Sequence, residues 1–115
     1  MLPPANRMRR SGDFAAAIRG GRRVRVPGLL VHHLPEAGSD AAVVGFVVSK
    51  AVGGSVVRHR VARRLRAQVA ERLELLPVGS ATVVRALPQS ADAESVDLGS
   101  SLDTAFQRLL SRRSS

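Results

Sequence analysis

Residues 48–66 read Val48-Ser49-Lys50-Ala51-Val52-Gly53-Gly54-Ser55-Val56-Val57-Arg58-His59-Arg60-Val61-Ala62-Arg63-Arg64-Leu65-Arg66. The segment leaves an apolar run, breaks at Gly53-Gly54, then sets Val57, Val61, Leu65, Val69 and Leu73 at four-residue intervals, the stripe of an amphipathic helix. Ser55 is placed to cap it, so the spacing predicts a helix over residues 56–76. Arg60, Arg63, Arg64 and Arg66, with His59, fall on the arc away from that stripe. Arg58 lies nearer the apolar side and must reach outward or contact something at the helix start. Guanidiniums stay charged and grip phosphate through two parallel N–H donors. The glycine-rich entry adds backbone N–H groups and the positive end of the helix dipole. Such a face suits a sugar–phosphate backbone. A merely solvated helix interleaves both signs of charge, because neighbouring like charges repel; residues 50–66 contain no acid at all.

Upstream, residues 42–49 are almost all apolar and β-branched, which reads as a strand covered on both faces. Residues 22–26 and 28–34 read as one strand interrupted at Pro27, which cannot donate to a ladder and so marks an edge or bulge. A short helix carrying Phe14 and Ile18 on one face precedes them, capped by Ser11 and stopped by Gly20-Gly21. Pro3 and Pro4 oppose helix, so residues 1–10 read as a flexible basic arm. Downstream, residues 81–87 form a strand closed by Pro88, and Ser95 caps a last helix to about Arg112. That helix sets Leu98, Leu102, Ala105, Phe106 and Leu109 on one stripe, and Gly99 weakens it. The order αββαβα describes an α+β sandwich: a small sheet with helices packed on it.

The chain has 115 residues, one domain's worth. The domain proper takes residues 11–112, and 113–115 form a tail. Eighteen basic residues, 17 of them Arg, stand against nine acids for a net charge of +9. The excess is local: residues 1–25 and 50–66 each sum to +6, and the rest is slightly acidic. Charge concentrated in this way steers polyanions. Without cysteine there is neither a disulfide scaffold nor a zinc–cysteine site. No apolar run approaches a membrane span and the N-terminus lacks a signal-peptide core, so the expected location is the cytoplasm.

The quoted segment resembles the signature of the bacterial ribonuclease P protein subunit: a Ser-Lys, a Gly-Asn near the helix start, then Arg-Asn-Arg and further basic residues. The stretch Asn6-Arg7-Met8-Arg9-Arg10-Ser11-Gly12-Asp13-Phe14 is similar to that family's basic arm leading to Asp-Phe. The likeness runs from about residue 6 to residue 110. Gly54 and His59 stand where the family has Asn, and Ala62 where it has Lys.

The resemblance implies an αβββαβα two-layer sandwich with a small central sheet and a left-handed β-α-β crossover, which periodicity alone would not suggest. Its extra strand maps here if residues 22–26 and 28–34 count as two. It also implies a noncatalytic subunit of an endoribonuclease. The partners are a large catalytic RNA and precursor tRNA, whose 5′ leader is removed by metal-assisted hydrolysis. Mg2+ is held by the RNA; no small-molecule cofactor and no membrane are involved. The RNA-binding residues carried over are Arg58, His59, Arg60, Arg63, Arg64, Arg66 and Lys50, with Asn6, Arg7, Arg9 and Arg10 of the arm. Phe14, Ile18, Leu30, His32, Val47, Lys50 and Arg85 match the leader-binding cleft. Ile18 and His32 stand where the family favours aromatics, so grip on the leader leans more on charge than on stacking.

Three other functions compete. A structural, ribosomal-type RNA-binding protein without a processing role has the same basicity, and only the motif order separates the two. An autonomous metal nuclease needs clustered acids for Mg2+, which both basic segments lack. A membrane-surface helix needs a free apolar face with aromatic anchors; here the core takes that face.

Overall fold

The computed structural model describes residues 2–38 and 40–110. Helix α1 spans Ser11–Gly20, strands β1 Arg22–Val26, β2 Leu29–Leu34 and β3 Val43–Val47, helix α2 Ser55–Ala70, strand β4 Ala81–Ala86 and helix α3 Ser95–Leu110. Short 3-10 turns occupy Pro4–Asn6, Leu73–Leu75 and Pro88–Asp92. The sheet runs β1-β2-β4-β3. β1/β2 and β2/β4 are antiparallel, while β3 and β4 are parallel neighbours joined through α2. The mixed α+β architecture and the αβββαβα order are as expected.

Residues 22–34 are two strands rather than one bulged strand. Val26 pairs with Leu29, leaving Pro27 and Gly28 as a two-residue turn in which Gly28 has φ 77°. Proline at the first central position and a positive φ at the second are what a type II turn requires. The Pro-Gly pair was the sequence signal for a hairpin; the interruption at Pro27 is its tip.

Alternation along the strands divides the core. Leu29, Val31, Val44, Val84 and Ala86 point to one face, where they pack with Val61, Leu65 and Val69 of α2 and Leu98, Leu102, Ala105 and Phe106 of α3. Ala81, Val83, Val43 and Val47 point to the other, beneath Phe14 and Ala17 of α1 and Met8. The two-layer expectation describes α2 and α3 on the sheet; α1 adds a partial third layer on the opposite face.

Helix α2 stops at Ala70, six residues short of the expected end. A strict four-residue spacing advances about 40° per step on a helix of 3.6 residues per turn. Val57 and Leu73 therefore cannot both face the core on one straight helix. Val61, Leu65 and Val69 are fully buried, whereas Val57 and Leu73 are half-buried. The chain leaves the helix and turns so that Leu76 is buried instead. Arg72 fixes this exit: its Nη1 donates to the Gln68 carbonyl at 2.8 Å and its Nε to Asp103 Oδ1 of α3 at 2.6 Å.

Ser11, Ser55 and Ser95 are the first residues of their helices rather than their caps. Arg10 and Gly54 occupy the cap positions of α1 and α2 without side-chain bonds. At α3 the Asp97 carboxylate accepts from the Glu94 N–H at 3.3 Å. The expected end of the last helix at Arg112 and the tail 113–115 lie outside the described residues.

Strand β3 is an edge strand, not the doubly flanked strand its composition suggests, and the N-terminal segment covers its outer side. Met8 N–H donates to the Val44 carbonyl at 3.0 Å, Arg7 bridges Val44 in parallel, and Asn6 Nδ2 donates to the Ala42 carbonyl at 2.7 Å. Leu2 and Met8 are buried. Residues 2–8 thus close a sheet edge that would otherwise template further pairing. They are seated on the fold, unlike the loose arm the two prolines suggest.

Candidate RNA interfaces

The register across the sheet assembles the first surface. Arg25 pairs with Leu30, Leu30 with Arg85, and Arg85 with Val47, so the four side chains stand in one row on the α1 face. Two residues along, Arg23, His32, Val83 and Gly45 form the next row. Phe14 lies over that second row, its ring against Gly45, and the first row is left as an open shelf. On the shelf Arg25 and Arg85 are exposed and Leu30 and Val47 half-buried. Ile18, 40% exposed, is on α1. Exposed Lys50 follows in the turn after β3. Of the expected cleft residues, the register brings Leu30, Arg85 and Val47 together on the shelf, with Phe14 over the adjoining row; one of the others is closed off. His32 is 3% exposed, so it backs the shelf and presents no ring face to a base. Arg23 and Arg25 were not assigned to the cleft. Their alternation in register with His32 and Leu30 becomes visible only once the hairpin is recognised.

The second surface is α2, on the opposite side of the sheet. Its basic residues divide by partner. Arg60 donates through Nη2 to the Ala91 carbonyl at 3.0 Å, and Arg64 through Nη1 to the Ala93 carbonyl at 2.6 Å. Both tie α2 to the segment between β4 and α3. Each guanidinium has further N–H donors to spend, but the two are not the free phosphate grips that their place on the arc suggested. Arg63, Arg66 and His59 are exposed and Arg58 is half-buried. Of the departures from the resembled pattern, Gly54 is the helix cap, and His59 and half-buried Ala62 sit on the flank of α2 that faces β3. In the arm, Asn6 is spent on Ala42, and Arg7 donates through Nε to the Leu2 carbonyl at 3.0 Å. Arg9 and Arg10 are exposed.

Among the described residues, the ion pairs within 4.0 Å are those of Arg72 with Asp103 and Glu71. Among these residues, no arginine of either basic segment is paired with an acid. Nor is any group of three His, Asp or Glu side chains placed to hold a metal ion among these residues. The residues present do not fit a protein-held Mg2+ site.

Two histidines lie in adjacent positions on β2. His33 Nδ1 is 2.9 Å from Thr82 Oγ1, and burial, then the Arg22 charge, holds its pKa below the usual histidine value. His32 has no partner for either ring nitrogen; burial, then Arg23 and Arg85, lowers it likewise. With the folded pKa below the unfolded value of about 6.5, the unfolded chain binds more protons as pH falls through that window. Stability in urea is therefore expected to drop as pH falls below about 6.5, toward the depressed folded values. The pair His32→Phe and His33→Gln should remove most of that dependence. A flat profile for the unaltered chain between pH 7.5 and 5.5 would contradict it.

Comparison with known proteins bears on which polyanion these surfaces meet. The Ribonuclease P family model matches residues 2–110. The Ribonuclease P protein component of Streptomyces griseus subsp. griseus is 54% identical over 119 residues, covering 96% of each chain. That of Streptomyces bikiniensis is 52% identical over 118 residues, again 96% of each. Among solved structures, the RNase P protein of Staphylococcus aureus superposes with a TM-score of 0.78 at 20% identity, over 89% of this chain and 93% of that one. The RNase P protein from Thermotoga maritima gives 0.76 at 20% identity, over 89% and 96%. These two share the fold. A family match over almost every described residue, with relatives that keep half the sequence, settles the lineage: the chain belongs to the ribonuclease P family, as its bacterial protein component.

Proposed function

We propose that this subunit binds two RNAs on its two faces: the 5′ leader of precursor tRNA on the α1-side shelf, and the catalytic RNA along α2. The observation that carries this reading is that both basic segments reach the surface without an acidic partner among the described residues. On the shelf, Arg25, Arg85 and Lys50 supply cations beside the half-buried apolar Leu30 and Val47. That combination suits a single strand, whose phosphates need charge and whose bases need an apolar platform. On α2, Arg58, Arg63 and Arg66 supply rigid donors for RNA phosphates.

In this reading the side chains bind and orient and bond cleavage belongs to the RNA component, in keeping with the lack of any group of three His, Asp or Glu placed to hold a metal ion among the described residues. Mg2+ held by that RNA, rather than by residues of this chain, would supply activation of the attacking water and charge neutralisation at the phosphate. The protein's contribution is to hold the leader in line and to reduce repulsion between two polyanions, a larger effect when divalent ions are scarce. The working location for such a subunit is the cytoplasm.

The test is cleavage of precursor tRNA by its cognate RNA, with and without the protein, across a Mg2+ series. The protein alone should leave the substrate intact, and with the RNA it should raise cleavage most at low Mg2+. Cleavage by RNA-free protein, or no stimulation at any Mg2+ concentration, would overturn the reading. The second outcome would favour a structural RNA-binding role.

A further inference from the structure

Between the end of β3 and the first half of α2 lies an open pocket of about 300 Å³. Phe46, Val48 and Ala62 give it apolar walls, and Arg58, His59 and Arg66 rim it with basic groups. Unlike Arg60 and Arg64, these three basic side chains make no hydrogen bond or ion pair with any other described residue. Arg58 Nε is buried with no acceptor, a state that costs free energy until a partner arrives. Ser55, the first residue of the 16-residue helix α2, also lines the space, so the positive end of the helix dipole faces it.

A flat duplex backbone would meet the outward arc of α2 and has no use for an apolar recess beside a phenyl ring. A lone phosphate would not need Phe46 and Val48. An unstacked nucleotide uses both halves: its base lies against the aromatic and aliphatic walls, and its phosphate meets the guanidiniums. The geometry points to this pocket as the seat of a single extrahelical nucleotide of the partner RNA. The inference rests on the RNA-subunit reading above and adds a shape-specific contact to an otherwise electrostatic face.

Filling the recess, or removing its aromatic wall, without altering charge tests it. Ala62→Leu, and separately Phe46→Leu, are titrated against the cognate ribonuclease P RNA over a salt series, with urea melts to establish folding. Each folded variant should bind roughly fivefold or more weakly, the scale of one base stack, with an unchanged slope of log affinity against log salt. Affinity within twofold of the parent for both variants would overturn the pocket, as would a loss confined to the slope. Nucleoside 5′-monophosphate, followed by the amide resonances of Val48 and Ala62, separates the sources. If Ala62→Leu abolishes its shifts while RNA affinity is unchanged, the recess serves a free nucleotide and the assignment to RNA fails. The parent's own affinity for the RNA, read in the same titration, tests the underlying reading separately.

Discussion

Replacing Arg25 and Arg85 together by Ala should weaken binding of leader-bearing precursor tRNA by at least about a hundredfold, since a charge-assisted contact is worth about 1.5–3 kcal/mol and two are removed. The salt dependence should flatten by about 1.4 log units, about 0.7 for each single-strand phosphate contact. Binding of leaderless tRNA should not change. The two arginines are in register with Leu30 across the sheet, and no acid of the chain lies within ion-pair distance of either among the described residues. Exposed and untied, they can be removed with little effect on the fold, within about 0.5 kcal/mol. Filter binding over a salt series reads both quantities. Equal losses for leader-bearing and leaderless substrates would remove the shelf from the leader site.

Gly45→Ala should destabilise the protein by about 1–3 kcal/mol, the usual range for overpacking a filled core. It should lower the melting temperature by roughly 4–8 °C per kcal/mol. A Cβ built at Gly45 falls 2.5 Å from Cε1 and Cζ of Phe14 and 3.0 Å from the sulfur of Met8. Phe14 holds α1 against the sheet and Met8 holds the arm to the β3 edge, so one methyl group pushes on both. Because α1 stands beside the shelf, leader affinity should fall with stability. Calorimetry beside the binding assay would show the coupling; an unchanged melting temperature would mean that the ring is not seated on this glycine.

What the sequence made legible follows from physics that is local. The basic arc and apolar stripe of α2 were readable because both depend only on spacing along one helix. The strand at β4 and the stripe of α3 were readable for the same reason. Gly99, a defect by propensity, is explained only by tertiary packing: a Cβ there would lie 2.5 Å from Oε1 of Gln68 on α2 and 2.9 Å from Nη2 of Arg72 just beyond it. The fates of Arg60 and Arg64 were hidden in the same way. Their acceptors are carbonyls about 30 residues away, and a carbonyl leaves no mark in a sequence. The arm was misread because its anchors are backbone bonds to β3 and the burial of two apolar side chains. The hairpin was hidden because proline's missing donor marks a strand edge or bulge as readily as the first central position of a turn. Arg23 and Arg25 followed from that: only with β1 paired to β2 does the place of Arg25 on the shelf, and of Arg23 in the row beside it, appear.

The central claim is that the two faces of one small sheet meet two different RNAs. The chain has no cysteine, so one introduced thiol is a unique attachment point for a photocrosslinker. Ile18→Cys places it on α1 beside the shelf, and Ala67→Cys on the exposed side of α2; neither removes a charge. In the assembled complex, a crosslink from position 18 to the precursor leader and from position 67 to the catalytic RNA is the predicted pattern. Crosslinks from both positions to the same RNA, or none from position 18 to the leader, would contradict it.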